Sequence, residues 1–304
     1  MRWLSGCTFL VALSLLGAPP LQAGAWTREP GGAYHRIALT YYDAAREFNG
    51  DGERVALDNQ GRYHESSLSY YLEYGCTENI PLTASLSGKR ARYRDDNIRN
   101  QTTGLSDLEL GLKRKIYDKA WVLALQVALK IPETYNARRD LPLGTGQYDL
   151  EARFLSGHSI RRFPGYFGAE VAYRYREGGA WADEIRYLLE FGTDLSQRLS
   201  WRLKLDGTKA INTSDDDAEE ANGPARVGGA TPSQINLPGG PRPPPAPVRA
   251  ATGTMPAFDL IKLDLTLSWR LTRKTALELG YAPALRGKQI AAGDSASLAL
   301  AFSW

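Results

Sequence analysis

Residues 261–270 read IKLDLTLSWR, and apolar and polar side chains alternate along them without an error. Successive residues of a β-strand point to opposite faces, so this period of two predicts a strand with one apolar and one polar face. The same alternation returns in residues 121–131 and 199–206. Helical periodicity is weak, and no stretch after residue 25 holds the roughly 18 consecutive apolar residues of a membrane helix. The pattern predicts an all-β protein.

A soluble β-sandwich also alternates, so the length and chemistry of the strands have to decide between the two architectures. The segments run to about ten residues, longer than the usual globular strand and suited to a tilted membrane strand. Their polar faces carry charges of both signs, as a wet lumen does. Aromatic residues gather at strand ends, which is typical of interfacial girdles. These are Tyr41, Tyr42, Tyr70, Tyr71, Tyr74, Trp121, Tyr166, Trp201, Trp269 and Trp304.

The spacing of the strands favours a closed barrel. About twelve strands are predicted, near residues 33–46, 64–75, 80–93, 105–117, 120–131, 148–160, 166–176, 184–194, 199–209, 258–271, 275–282 and 295–304. Short links alternate with long ones, and the long ones fall near residues 47–63, 94–104, 132–147, 177–183, 210–257 and 283–294. Short periplasmic turns and long outer loops alternate in this way, with an even strand number. The sequence therefore predicts a closed antiparallel transmembrane β-barrel of about twelve strands in the outer membrane.

The beginning of the chain has the features of an export signal. Arg2 is followed by an apolar run over residues 9–18 and by an A-x-A exit at residues 23–25. An apolar run of this length is too short to span a bilayer, and the whole pattern is that of a secretory signal. We predict that residues 1–25 are removed and that residues 26–304 form the barrel as a single domain.

The last strand carries a second export feature. Leu298, Leu300, Phe302 and Trp304 alternate with small residues, and the strand ends on the tryptophan. Such a strand resembles the signal read by the barrel-assembly machinery. That machinery, acting through the strand that ends at Trp304, and outer-membrane lipid are the expected partners of the folded chain.

Charge and cysteine content exclude two classes of protein. The formal net charge is only +3, and 37 basic and 34 acidic residues are scattered along the chain. Nucleic-acid binding needs a concentrated basic face, so no nucleic-acid partner is expected. Cys7 lies in the signal and leaves Cys76 alone, which excludes an intrachain disulfide in the mature protein.

Residues 210–257 break the strand pattern. They contain an acidic run at residues 215–220, paired glycines and three consecutive prolines at residues 243–245. Such a composition cannot bury a core, so the segment is predicted to be the longest extracellular loop. Two forms stay open for it, a constriction folded into the barrel mouth and a solvated loop.

No metal ion or other cofactor is expected. The acidic run at residues 215–220 lacks the glycine and glutamate spacing of a calcium loop. His35, His64 and His158 show no ligand-like spacing, which leaves a zinc site without support.

Three segments in the middle of the chain carry a resemblance. Residues 104–113 read GLSDLELGLK, residues 129–132 read LKIP and residues 144–149 read GTGQYD. The region resembles a family of outer-membrane proteins named for the meta-cleavage pathway of phenol degradation. It departs from that family at residues 132–134, which read PET where Pro-Thr-Gly is usual. The resemblance implies an outer-membrane channel that admits aromatic or other small organic molecules.

Charged residues on the polar strand faces have the parity of the barrel lumen. The candidate lumen-lining residues are Glu109, Lys113, Glu151, Arg153, Glu170, Arg174, Arg186, Glu190, Arg202, Lys204, Lys262, Asp264, Arg270 and Glu278. Opposite charges along a lumen favour polar or amphipathic solutes. We predict a channel or transporter for passive uptake of small, aromatic or amphipathic organic molecules. The alternative is that these charges form a satisfied network that plugs the lumen of a structural or surface-interaction barrel.

A lipid-modifying enzyme is a further alternative, because some outer-membrane barrels carry a Ser–His pair on the lipid-facing wall. His64 and Ser66 share the parity of the apolar face near the predicted outer end of a strand, and such a couple can activate a nucleophile. However, residues two apart on one strand lie ~6–7 Å apart, beyond hydrogen-bond reach. We predict that the protein is not an enzyme and has no catalytic residues.

Overall fold

The computed structural model describes residues 24–132, 141–160, 163–177, 181–211 and 257–304. These residues form sixteen strands, which are β1 (Ala33–Ala44), β2 (Arg46–Phe48), β3 (Arg54–Ala56), β4 (Arg62–Gly75), β5 (Pro81–Arg94), β6 (Arg99–Leu105), β7 (Leu108–Asp118), β8 (Trp121–Ile131), β9 (Asp149–Ile160), β10 (Gly165–Arg176), β11 (Asp183–Asp194), β12 (Leu199–Ile211), β13 (Asp259–Arg270), β14 (Thr275–Lys288), β15 (Ile290–Ala291) and β16 (Asp294–Ser303). One short 3-10 turn, Asp58–Gln60, is the helical element among them. Within the described part of the chain, no helix is long and apolar enough to cross a membrane.

Twelve strands close into one antiparallel barrel. Each long strand pairs with its neighbours along the chain, and β1 pairs with both β4 and β16, so the ladder returns on itself. Ile37 is opposite Leu300 on one side and opposite Tyr70 on the other. Closure gives every barrel strand a hydrogen-bonded neighbour on each edge. Lipid could not provide these backbone hydrogen bonds. The predicted twelve-stranded closed barrel is confirmed.

The alternation of the sequence becomes the two faces of the wall. Along β13, Leu265, Leu267 and Trp269 are exposed, whereas Thr266 between them is only 5% exposed. The exposed row belongs to an apolar belt around the outside of the barrel, where lipid takes the place of a protein core. The polar row faces the interior.

Two strands, β6 and β14, differ from the predicted pattern. The predicted loop over residues 94–104 is instead the strand β6, which returns beside β5 after a turn of residues 95–98. Strand β14 continues to Lys288, past the predicted end at residue 282. Its ladder with β13 shifts register between Ile261 and Lys262, which are opposite Arg286 and Ala284, so Leu285 is the extra residue of a β-bulge.

Strands β5, β6 and β7 build an irregular part of the wall. The periplasmic half of β5 pairs with β7, and its outer half pairs with β6. The break between β6 and β7 falls at Ser106, whose hydroxyl donates to the carbonyl of Leu143 at 2.7 Å. Residues from the following outer loop therefore close the barrel against β6.

The outer end of the barrel carries a small second sheet. Strands β2, β3 and β15 pair with one another, and they cover an apolar cluster inside the mouth. The cluster consists of Ala44, Leu57, Tyr63, Ala91, Tyr93, Leu141, Leu143 and Ala291, with Tyr42 and Ile98 packed against it. The predicted long loop over residues 47–63 thus has a structure of its own.

Two predicted segments lie largely outside the described residues. Residues 1–23 of the predicted signal and residues 212–256 of the predicted loop 210–257 are not among them.

Candidate functional site

Long charged side chains meet inside the barrel. Arg174 on β10 reaches Glu109 on β7 at 3.0 Å, although β8 and β9 lie between these strands. Lys113 on β7 contacts Glu73 on β4 at 3.1 Å, and Arg36 on β1 contacts Glu278 on β14 at 2.8 Å. Contacts that skip strands are made on the concave side of a closed sheet, where side chains converge. These pairs therefore cross the interior.

The central cluster is organised around one carboxylate. Glu151 contacts Arg153 at 2.6 Å, Arg174 at 2.9 Å and Arg186 at 3.1 Å. Arg153 also contacts Glu170 at 2.5 Å. Because one anion is shared by three guanidinium groups, and each guanidinium has a fixed planar geometry, this cluster is a cross-link between β9, β10 and β11 rather than a set of freely moving charges.

A second cluster lies toward the periplasmic end. Glu190 contacts Lys204 at 2.9 Å and accepts a hydrogen bond from the hydroxyl of Tyr166. Arg202 lies 3.8 Å from Glu278, which also holds Arg36. A ladder of alternating charge therefore runs down the inside of β11, β12 and β14.

The remaining candidate lumen residues also have polar partners. Lys262 lies 3.6 Å from Asp206, Arg270 lies 3.6 Å from Asp194, and the Thr266 hydroxyl donates to Asp264 at 2.7 Å. Each candidate residue named from the sequence thus has a partner of opposite charge or a hydrogen bond within the described part of the chain.

Several interior residues were missed by the sequence reasoning. Glu73 is buried against Lys113. Lys130 and Asp149 contact one another at 2.5 Å, and they lie directly opposite in the β8–β9 register. Arg176 and Glu184 form a buried pair. The strand parity of Lys130 was visible in the sequence, but a cross-strand partner becomes visible only when the register is known.

Residues 24–32, which precede β1, enter the barrel from the periplasmic end and occupy its interior. Ala25 is completely buried and packs with Val122, Ala124 and Leu155. The Lys113 ammonium donates to the carbonyl of Gly24 at 2.8 Å. Gly24 and Ala25, which the sequence analysis assigned to the signal, thus contact the lumen wall.

The side chain of Trp26 anchors this segment. Its ring meets Tyr166 edge-on, with 5.5 Å between the ring centroids. It lies on Gly157 so closely that a Cβ there would be 2.5 Å from a ring carbon. Glycine at this position of β9 therefore makes room for the tryptophan. We call residues 24–32 the N-terminal plug.

The plug is tied to the wall where it leaves the barrel. The amide of Gly31 donates to the carbonyl of Gly75 at 2.8 Å, and the amide of Gly75 donates to the carbonyl of Gly32 at 2.9 Å. Gly31 has a φ of 77°, a conformation that side chains disfavour. The turn at Gly31 directs the chain from β1 back into the lumen.

The polarity of the interior surface thus changes along the barrel axis. Three tyrosines, Tyr42, Tyr63 and Tyr93, line the apolar cluster at the outer mouth. The charged clusters and the plug occupy the middle. A cavity of about 260 Å³ lies at the periplasmic end, with Tyr166 and Arg202 among its lining residues.

The outer wall carries the two residues of the enzyme alternative, His64 and Ser66. His64 Nδ1 lies 2.8 Å from the Tyr41 hydroxyl and 3.2 Å from Asp43. Within the described residues, Ser66 makes no hydrogen bond with His64, and no group of three potential metal ligands occurs. The His64 ring is held by its neighbours on β1 instead.

Comparison with known proteins identifies solved structures with a similar fold. No family model matches the sequence, and no curated protein matches it. The fold is similar to that of an outer membrane channel from Pseudomonas putida F1, with a TM-score of 0.62 and 14% identity over 91% of this chain and 97% of that chain. At this identity the likeness shows the fold alone.

Weaker likenesses are found among autotransporters. The translocator domain of NalP from Neisseria meningitidis has a TM-score of 0.46 and 12% identity, over 94% of this chain and 90% of that chain. The beta domain of BrkA from Bordetella has a TM-score of 0.48 and 11% identity, over 91% and 100%. Neither is close enough to carry an argument. The closed wall, the apolar belt and the first likeness define the protein as an outer-membrane β-barrel.

Proposed function

We propose that the protein is a plugged channel that admits small amphipathic or aromatic organic molecules across the outer membrane by passive diffusion. The similarity in fold to an outer membrane channel supports the general class. The solute class rests on the chemistry of the interior and on the sequence resemblance to the phenol meta-pathway family. No step of covalent chemistry is proposed, and the protein is proposed not to be an enzyme.

The order of surfaces along the axis supports an amphipathic solute. The outer mouth is filled by the apolar cluster in which Tyr63 and Tyr93 are buried, and these rings would stack with a flat apolar group once the small sheet of β2, β3 and β15 opens. A molecule that passes the mouth then meets the charged clusters around Glu151 and Glu190. A solute with an aromatic body and a polar group satisfies both surfaces in turn, whereas a purely hydrophilic solute has no partner at the mouth.

The N-terminal plug is the observation that carries the proposal. It lies in the lumen without belonging to the hydrogen-bonded wall, and its contacts inside the barrel come from few side chains, chiefly Trp26 and the ammonium of Lys113. The closed ladder of strands contains none of residues 24–32. A structural filler would be expected to be an integral part of the wall, whereas a separable segment can be displaced.

The test compares a refolded full-length barrel that starts at residue 24 with a variant that lacks residues 24–29, which keeps the Gly31 and Gly32 contacts at the rim. Single-channel conductance in a planar bilayer is measured for both, and swelling of loaded liposomes is measured with benzoate and with a sugar of similar size. We expect low conductance in the full-length protein and a clear increase in the variant. Benzoate should enter faster than the sugar.

Heat-modifiable gel mobility shows whether both proteins are folded. An absence of conductance then cannot be attributed to misfolding. Two folded but silent proteins would overturn the channel and favour a structural or surface-interaction barrel. Assaying lipid hydrolysis with the wild type and His64→Ala covers the enzyme alternative. Hydrolysis that disappears in the variant would contradict the proposal.

A further inference from the structure

Five exposed arginines gather on the outward face of the barrel at the outer ends of β4, β5 and β6. They are Arg62, Arg90, Arg92, Arg94 and Arg99, which we call the arginine patch. The outward direction follows from the strand parity, because the neighbours Leu68 on β4 and Leu105 on β6 are exposed members of the apolar belt. The patch begins directly above that belt.

The register places like charges beside one another. Arg62 is directly opposite Arg94, and Arg94 is directly opposite Arg99. One row lower, Arg92 is opposite His64 on one side and Gln101 on the other. Like charges that are directly opposite on adjacent strands destabilise a sheet. Binding of an anion beside this row of three arginines would therefore offset part of their repulsion.

Few carboxylates of the protein supply that anion. Asp43 contacts Arg62 at 2.6 Å. Arg90 and Arg92 both donate to the same amide oxygen of Gln101, at 3.1 Å and 2.8 Å. Among the described residues, no carboxylate forms an ion pair with Arg90, Arg92, Arg94 or Arg99.

The carboxylates of the β5–β6 turn are engaged elsewhere. Asp95 accepts hydrogen bonds from the Tyr93 hydroxyl and from the backbone amides of Asn97 and Ile98. Asp96 accepts a hydrogen bond from Gln60. The arginine patch thus keeps most of its guanidinium donors for a ligand.

An apolar groove lies directly below the patch on the same wall. It has a volume of about 910 Å³, and the apolar side chains that line it are Leu39, Leu68, Leu105 and Leu298. Gly88 contributes to its floor, and Arg90 and Tyr41 lie at its rim. Because Gly88 has no side chain, the wall is recessed at this point. One continuous surface therefore combines an apolar groove with a cationic upper edge.

We propose that this face binds lipopolysaccharide, the phosphate-bearing lipid of the outer leaflet, with an acyl chain in the groove and a phosphate on the arginine patch. Guanidinium groups bind phosphate through paired hydrogen bonds, and basic clusters at the edge of a membrane recognise anionic lipid head groups. The groove lies in the apolar belt, where a soluble anion would lose its hydration without gaining polar contacts. The proposal does not depend on the channel function.

The experiment measures binding of lipid A, the acylated and phosphorylated part of this lipid, to the refolded full-length protein in detergent by native mass spectrometry. Three proteins are compared: the wild type, the triple variant Arg90→Gln, Arg92→Gln, Arg94→Gln, and a matched control. The control is Arg114→Gln, Arg198→Gln, Arg273→Gln, which removes the same charge from exposed positions toward the periplasmic end. Lipid A without phosphates and inorganic phosphate alone are the ligand controls.

We expect the wild type and the control variant to bind lipid A alike. The patch variant should bind on the order of 100-fold more weakly, because each arginine near an anionic lipid surface contributes roughly a factor of five. Dephosphorylated lipid A and inorganic phosphate should each bind the wild type more weakly than lipid A does. Equal binding by the patch variant would overturn the proposal, as would equal weakening in the control variant. Competition by inorganic phosphate at low concentration would also contradict it, because the groove would then have no role.

Discussion

At the scale of a single residue, the plug meets the wall most closely where the Trp26 ring lies on Gly157. Gly157 on β9 is opposite Gly168 on β10. A Cβ on Gly157 would lie 2.5 Å from the tryptophan ring, but a Cβ on Gly168 would have its nearest neighbour at 3.7 Å. Two adjacent glycines thus differ in what a methyl group would meet, and they form a natural matched pair.

We expect Gly157→Ala to displace the Trp26 ring and to raise single-channel conductance toward that of the variant lacking residues 24–29. Gly168→Ala should leave conductance at the wild-type level, because its methyl group meets ordinary van der Waals contacts. Both variants should keep heat-modifiable mobility. Equal conductance of the two variants would mean that the tryptophan does not hold the plug.

At the residue scale the sequence predicted which charges carry the parity of the polar face, but not their partners. Arg174 and Glu109 are separated by three strand positions around the ring, and their meeting depends on the radius of the barrel and the tilt of its strands. Trp26 was not predicted as an interior residue, because one aromatic side chain outside any strand has no periodicity.

Among the elements, the small sheet of β2, β3 and β15 has a titratable group of its own. Glu47 lies on the middle strand, opposite Val55 and Ala291. Burial, with a smaller contribution from the nearby carboxylate of Asp58, raises the pKa of Glu47 from 4.5 to about 7. One of its carboxylate oxygens is buried and has no hydrogen-bond partner among the described residues.

The sign of the pH dependence follows from this raised pKa. The folded sheet retains the Glu47 proton over a range in which the opened sheet releases it, so its stability falls as the pH rises from 4.5 through about 7. We expect proteinase K to cleave residues 49–53 faster at about pH 8 than at about pH 5, relative to the Glu47→Gln variant, which stays neutral. If cleavage of the Glu47→Gln variant depended on pH as cleavage of the wild type does, Glu47 would not be the cause of the pH dependence.

Apart from the outer end of β14, the long barrel strands were predicted to within a few residues, because each buries one face and exposes the other over many positions. Strand β6 and the strands of the small sheet were not predicted. Segments such as Arg54–Ala56 are too short to show a period, and they form through pairing with distant partners. The turn at residues 95–98 was predicted only as part of a longer loop, because so short a segment shows no period of its own.

For the molecule as a whole, the interior is close to electrically balanced. Basic and acidic side chains are interleaved on every charged level, as in the groups around Glu151 and Glu190. We expect the channel without residues 24–29 to show little preference between K⁺ and Cl⁻, because no ring of one sign dominates the lumen. The measurement is the reversal potential across a KCl gradient, which should lie close to zero. A large potential of either sign would reveal a dominant charge that the pairing conceals.

The architecture of the whole molecule could be predicted from the sequence, and the state of its lumen could not. Closure, strand number and membrane placement follow from patterns that repeat over the entire chain. The plug depends on one short segment, residues 24–32, and on a glycine on a strand far away in the sequence.

The pairing of β1 with β16 has a consequence for how the protein is made. Strand β1 is hydrogen-bonded along one edge to β16, so this neighbour is synthesised after every other barrel strand of the described residues. A nascent chain cannot complete the ring before β16 has been made, and any chain truncated before β16 leaves two open edges. Closure must therefore wait until β16 has reached the periplasm, and the earlier strands must be kept from pairing wrongly in the meantime.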